Sequence, residues 1–436
     1  MKKYVLTSIL LAFCFYAKAI EYPAVSKTLK NGLKVIVCQK PGNNFVYLQV
    51  WYRAGAKDEA PGVHGMAHMF EHMMFRGTEK YPGQSFFHNV EKVGGVLNAS
   101  THSDFTEYHE YVPKSALDMC MDMEADRMGN LKVTQDILNT ERQVVGEEFR
   151  DGMNNWEERM MLNEYKALYP ENDPYSVNPI GSLEEITSFT ADECMDFYNK
   201  YYSPNYAFVV VVGDVNPDEV FAMADKYFGA VTKQLTLNDK TDLPDLTKSK
   251  PKVTEMPLDQ MIQVYSYVIP YPAVSSKDYY ALNMLTGILF LDQNSILNNI
   301  LVKKKHLVYG IASTEETRFY KYPSEQSFDF FMNAAPGNFK VKKIVSDEIS
   351  NIAANGIPQS MIDNYIKAKE AGNMQLNYSA EGIGNALGAS ELYYGDYNQA
   401  YHAIDQYRKV TPEDIKRVAA TYLAPERINI INIKPD

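Results

Sequence analysis

The chain reads as an α+β protein of two homologous domains whose sheets are mainly antiparallel, and three observations carry that reading. At 436 residues it is too long for one compact core, and two to three domains are the natural expectation. The groups Thr190-Ala-Asp-Glu193, Tyr201-Tyr-Ser-Pro204 and Phe208-Val-Val210 recur as Thr411-Pro-Glu-Asp414, Tyr422-Leu-Ala-Pro425 and Asn429-Ile-Ile431 at a constant offset of 221, the mark of a duplicated domain. Runs of β-branched and aromatic residues broken by Gly, Pro and Asn alternate with segments of helical apolar period, so strands and helices share each half. Apolar content of 45% and charged content of 22% are those of an ordinary soluble globular protein.

Residues 1–19 stand apart. Lys2 and Lys3 precede the apolar run Val5 to Tyr16, and Ala17-Lys-Ala19 offers small residues at a cleavage point, the pattern of a secretory signal peptide. The run is too short to anchor the chain in a bilayer, and the bulky Phe13 before Cys14 disfavours lipoprotein processing. Export to the periplasm or the medium is therefore expected. Loss of Lys2, Lys3 and Lys18 would take the formal net charge from −12 to −15, which makes nucleic acid a poor partner. That acidity aids solubility, or draws basic peptides where it lines a cavity. Cys38, Cys120 and Cys194 remain, an odd number without metal spacing, and are expected as buried thiols.

Taken in order, Gly32–Cys38 and Phe45–Arg53 are β-rich and separated by Pro41-Gly-Asn-Asn44, which predicts a hairpin. A helix over the stretch 64–77 follows, then a loop through Pro82-Gly83 and a helical stretch ending at Gly94-Gly95. Val96–Val112, rich in Thr, Tyr and Phe, predicts another pair of strands. The stretch 139–151 predicts a helix, Ser188–Lys200 a capped helix, and Ala207–Gly213 a buried strand. The polar segment 232–253, with Pro244 and Pro251, is the expected linker between a first domain at 20–231 and a second at 254–436. In the second half Gln263–Ile269 echoes the strand Tyr47–Arg53. The stretch Tyr280–Phe290 falls where the 64–77 helix should recur, without a histidine or a carboxylate.

That 64–77 helix carries the chemistry. Met66, Met69, Phe70, Met73, Met74 and Phe75 surround His68, Glu71 and His72, so a mostly buried helix shows one polar stripe. Positions i and i+4 lie about 40° apart on a helix, so His68 and His72 can reach one point, with Glu71 beside them. Two imidazoles and a carboxylate suit Zn²⁺ with one position left for water, whose pKa the metal lowers to near 7 while an adjacent carboxylate takes the proton. With Glu71 kept free as the base, a third ligand is needed from elsewhere. Glu141 and Glu148 lie seven residues apart, two turns along one helical face. Glu148 is the expected ligand, with Glu147 its rival, and Glu141 the carboxylate that orients a ligating histidine.

The pattern H-x-x-E-H, with Glu148 76 residues after His72 as the last Glu of E-R-x-V-V-x-E-E, resembles the pitrilysin/insulinase family of zinc peptidases, which includes mitochondrial processing peptidase and bacterial relatives. Gly65–Thr78, Gly94-Gly-Val-Leu-Asn-Ala-Ser-Thr101 and Ala125-Asp-Arg-Met128 are similar to further signatures, so the resemblance spans most of the chain past the leader. It implies two domains closing on a peptide as a clam-shell chamber. It assigns His68, His72 and Glu148 to Zn²⁺, Glu71 to the general base and Glu141 to the support of a ligand. It also implies that Asn98 and Ala99 lie on an edge strand that holds an extended peptide by main-chain hydrogen bonds, a turn-shaping role being the alternative for Asn98. The family clamps substrate with an Arg and a Tyr in L-R-x-K-x-x-L-x-Y. Here Leu301-Val-Lys-Lys-Lys-His-Leu-Val-Tyr309 keeps Tyr309, for which core packing is the alternative, and has Val302 in place of the Arg. Lys303 or Lys304 would supply only a point charge where Arg gives a planar fork. Some bacterial members pair a zinc-bearing subunit with a metal-free relative, so the resemblance implies a dimer and Val302 favours a heterodimer. The expected activity is that of an exported zinc endopeptidase acting on peptides or unfolded polypeptides. The competing reading, a non-catalytic peptide-binding or structural subunit of the same fold, is favoured by Val302 and opposed by the intact His68, Glu71, His72 and Glu148 set.

Overall fold

A computed structural model describes residues 22–169, 173, 175–176, 178–233, 252–258, 262–313, 321–333, 338–376 and 378–435. The expected signal peptide and all but the ends of the expected linker lie outside the described residues. The first half runs β1 (Ala24–Thr28), β2 (Lys34–Gln39), β3 (Phe45–Tyr52), α1 (Met66–Met74), α2 (Ser85–Lys92), β4 (Val96–Thr101), β5 (Thr106–Pro113), α3 (Leu117–Asn130), α4 (Gln135–Asn154), α5 (Trp156–Leu168), α6 (Leu183–Ser188), α7 (Ala191–Tyr201), β6 (Ala207–Gly213) and α8 (Pro217–Tyr227). The second runs β7 (Val253–Leu258), β8 (Val264–Tyr271), α9 (Tyr279–Thr286), β9 (Val308–Ala312), β10 (Ser324–Met332), α10 (Asn338–Asn355), α11 (Gln359–Leu376), α12 (Ala380–Tyr394), α13 (Gln399–Arg408), α14 (Pro412–Tyr422) and β11 (Asn429–Pro435).

The two sheets have the orders β1-β2-β6-β3-β5-β4 and β7-β11-β8-β10-β9. In each, one parallel pair, β2 with β6 and β7 with β11, sits among antiparallel ones. The duplication is visible in detail. Thr190 caps α7 and Thr411 caps α14 by the same reciprocal bonds with Glu193 and Asp414, which is why α7 begins a turn later than the sequence alone suggests.

The expected hairpin of β2 and β3 does not form, because β6 lies between them, parallel to one and antiparallel to the other. Its residues Ala207-Phe-Val-Val-Val-Val-Gly213 are buried throughout, and a strand apolar on both faces belongs at the centre of a sheet. The five residues 40–44 carry the chain over one intervening strand, about 10 Å. The pair β4 and β5 does form a hairpin, and it leaves β4 at the edge.

One face of the first sheet, with Val46, Leu48 and Val50, packs on Met66, Met69, Phe70 and Met73 of α1. The other face, with Ile36, Trp51, Phe208 and Val210, is covered by Ile383, Leu387 and Leu392 of α12, which belongs to the second half. Reciprocally, Met160 and Trp156 of α5 pack on Val264, Val268 and Ile431 of the second sheet. Each half thus lends a helix to the other. Glu391 fastens α12 by ion pairs to Lys34 at 2.6 Å and Arg53 at 3.2 Å.

Candidate metal centre

Helix α1 is fixed at both of its faces. Gly65 precedes it at φ +93°, where an added Cβ would lie 2.7 Å from the Ile180 carbonyl oxygen. The Glu59 carboxyl accepts hydrogen bonds of 2.8 Å from the Gly65 and Ala67 amides, which satisfies two free amides at the helix start, while burial pushes its pKa up against those bonds. His64 pairs with Glu185 of α6 at 2.9 Å. The methionines and Phe70 then hold the apolar face, and His68, Glu71 and His72 are left half-buried on the other.

Helix α4 packs on α1 and brings Glu141 and Glu148 to that stripe. His72 Nε2 lies 3.5 Å from Glu148 Oε2, and His68 Nε2 lies 3.8 Å from Glu148 Oε1. One donor atom from each of His68, His72 and Glu148 falls within 4.8 Å of the others. These separations are long for hydrogen bonds, whereas two ligands each about 2.1 Å from a tetrahedral zinc lie about 3.4 Å apart. Glu141 is fully buried. Its Oε2 faces His72 Nδ1 at 3.4 Å, and Arg76 Nε meets its Oε1 at 2.6 Å. His72 Nδ1 therefore has a carboxylate behind it while Nε2 faces the cluster, the arrangement that sets a ligand's tautomer. Glu147 instead pairs with Arg150 and is not part of the cluster.

The electrostatics fit a cation. Burial, reinforced by His72, pushes His68 down to about 4, so its ring is neutral and keeps a lone pair for a metal. Burial would lower His72 as well, but the carboxylates of Glu141 and Glu148 outweigh it and raise it to about 9. Glu148 is held below the ordinary carboxylate range by His72, against burial. Burial raises Glu71, and a 2.6 Å hydrogen bond from Thr101 Oγ1 to its Oε2 opposes that rise. A His₂Glu set with a further carboxylate beside it matches the ligand chemistry of zinc.

The remaining expected residues are spread over both halves. Asn98 and Ala99 lie on the edge strand β4. Ala99 enters the core beside α1, while Asn98 lines a cavity of about 560 Å³ with Tyr47, His109, Tyr111 and residues 378–381. Tyr309 lies on β9, the edge of the second sheet, and is 65% exposed, so it is not core. Val302 packs against the second core, and Lys303 is engaged with the Gln293 carbonyl at 2.7 Å. In the second half α9 takes the place of α1 and carries no histidine or carboxylate. Sequence reasoning missed Glu59, Arg76 and Thr101. Of these Arg76 and Thr101 carried a signal, as members of the Gly65–Thr78 and Gly94–Thr101 signatures, and Glu59 carried none.

Comparison with known proteins shows the family and the fold. Residues 34–175 match the family model described as insulinase, peptidase family M16, and residues 188–369 match that of the peptidase M16 inactive domain. The zinc protease PqqE of Helicobacter pylori is 29% identical over 425 residues, covering 94% of this chain and 92% of that one. An uncharacterised zinc protease of Mycobacterium leprae is 26% identical over 398 residues, 90% of this chain and 87% of its own. Among solved structures, a protease from Helicobacter pylori superposes with a TM-score of 0.86 at 27% identity, covering 95% of this chain and 99% of that chain. Pitrilysin, at 19% identity and a TM-score of 0.78 over 95% of this chain and 45% of its own, shares the fold.

Proposed function

Because the chain belongs to the insulinase family of peptidases, M16, we propose that it is a zinc-dependent endopeptidase that hydrolyses peptides or unfolded polypeptides. The observation that carries this reading is the convergence of His68, His72 and Glu148 on one point with Glu71 beside it and uncommitted to that cluster. Zinc held by those three residues would supply the Lewis acidity that polarises a scissile carbonyl and acidifies a water. Glu71 takes the proton of the attacking water and passes it to the leaving amine. Glu141 holds the Nδ1 side of His72, so that Nε2 presents its lone pair. The open edge of β4, including Asn98 and Ala99, offers main-chain groups to an extended peptide, so recognition would not depend on a strict side-chain code.

The leader-like first 19 residues support export to the periplasm or the medium. Val302 supports pairing with a metal-free homologous subunit that contributes the missing arginine. It also favours a second reading, in which the chain binds peptide without turning it over. The test is hydrolysis of a quenched fluorescent peptide of about fifteen residues by the purified chain, beside its Glu71→Gln variant. Hydrolysis abolished by the substitution and by chelation supports a self-sufficient peptidase. A zinc-loaded chain that is inactive alone, and inactive with any homologous partner, refutes the endopeptidase.

A further inference from the structure

We propose that Thr101 is a positioning residue for Glu71, and that the β4–β5 hairpin is the rigid arm that holds it there; the proposal rests on the reading of Glu71 as the base. Thr101 is the last residue of β4, and its hydroxyl donates to Glu71 Oε2 at 2.6 Å, the one hydrogen bond to that carboxylate among the described residues. A glutamate has three side-chain torsions, and one fixed oxygen confines the carboxylate while the other stays open for a proton.

The arm is held where it turns. Thr101 is paired with Thr106, whose buried hydroxyl donates to the Ala54 carbonyl at 3.0 Å. Within the turn the His102 amide bonds the Phe105 carbonyl at 2.8 Å. The His102 and Ser103 carbonyls accept from the Ala56 and Lys57 amides at 3.1 and 3.0 Å. At its tip the buried Asp104 accepts from Tyr175 Oη at 2.8 Å and from the Lys321 amide of the second half at 2.9 Å. Only two residues thus separate the side chain that holds the base from one bonded to the other half. A base held by such a supported strand is pre-organised, and the same strand offers its free edge to substrate, so peptide register and base position share one reference.

Thr101→Val removes the hydroxyl and keeps the β-branched shape, and Thr101→Ser restores the hydroxyl. General-base catalysis contributes about 10² to 10⁴ in rate, so misplacing the base should lower kcat about 10- to 100-fold in the Val variant. KM, zinc content and melting temperature should stay close to the parent, and Ser should recover most of the loss. Unchanged kcat in Thr101→Val, or a loss that follows zinc content or stability and is not recovered by Ser, overturns the proposal. An activity-independent readout separates it from the peptidase reading. Infrared difference spectra between each protein and its Glu71→Gln counterpart isolate the Glu71 carboxylate stretch. A band displaced in Thr101→Val and restored in Thr101→Ser supports the positioning contact even if the parent hydrolyses no peptide; a band at the same frequency in all three refutes it.

Discussion

Replacing Gly388 with alanine tests the packing that joins the two halves. A Cβ at Gly388 would fall 2.5 Å from Trp51 Cζ2 and 2.7 Å from Nε1, far inside contact distance. The indole cannot step aside, because it is stacked on Phe105 at 4.6 Å and on Phe208 at 5.7 Å between ring centres. The helix must therefore lift away from the sheet, which loosens the Glu391 pairs with Lys34 and Arg53. Overpacking of a filled interior costs about 1–3 kcal/mol, and loosening a partly buried charge contact adds about 1 kcal/mol. Alanine's better helix propensity returns about 1 kcal/mol, leaving about 1–3 kcal/mol of net destabilisation. For domains near two hundred residues this lowers the melting temperature by about 2–4 °C per kcal/mol. The chain has two tryptophans, so a Trp156→Phe background leaves Trp51 as sole reporter of this interface. Gly372 of α11, with no atom within 4 Å of an added Cβ, is the control, and its alanine variant should be neutral or more stable. If Gly388→Ala melts at or above the parent temperature with unchanged Trp51 emission, α12 does not lie on the first sheet as described.

Three further outcomes are expected. Glu141→Gln should weaken zinc binding about 10- to 100-fold, and Glu148→Gln should weaken it more, in competition with a chromophoric chelator; equal losses would contradict their different places. Burial pushes Glu325 up to about 8, with Lys252 opposing. Its folded pKa lies above its unfolded value of about 4.3, so the stability it contributes is complete below that value and is lost as pH rises through about 8. Denaturant midpoints should therefore decline between those pH values in the parent and decline less in Glu325→Gln. The first half expressed as residues 22–231 should expose the face of Ile36, Trp51, Phe208 and Val210 that α12 covers, and so bind a hydrophobic dye that the full chain does not.

The candidate metal helix was legible because its chemistry forces residue types into a short spacing. His68 and His72 must share one face, and Glu141 and Glu148 must lie two turns apart on another helix. Those are local relations that a sequence displays. The β2–β3 error has the opposite origin. Pro41-Gly-Asn-Asn44 looks like a turn between neighbours, and the strand that separates them begins at Ala207, more than 150 residues later. Periodicity specifies that a strand has apolar faces and says nothing of which strand fills the gap. The exchange of α5 and α12 was illegible for the same reason. Both carry apolar residues that need cover, and whose sheet they pack on depends on the pairing of the halves.

The duplication makes the functional half recognisable by where it departs from folding rules. Counted from the helix starts, the positions of His68, Glu71 and His72 are occupied in α9 by Ala281, Met284 and Leu285, all buried in the second core. That helix follows the preference of a covered position for apolar side chains. The first copy puts two imidazoles and a carboxylate at the equivalent place, where burial drives His68 down to about 4 and raises Glu71. Such groups oppose folding unless something binds them, and a chain that keeps them in one copy while filling the other with hydrocarbon has separated a site from a support. The hydroxyl of Thr101 and the carboxyl of Glu59 then fall into the same class as the proposed ligands. They are polar groups that hold α1 and its side chains in place.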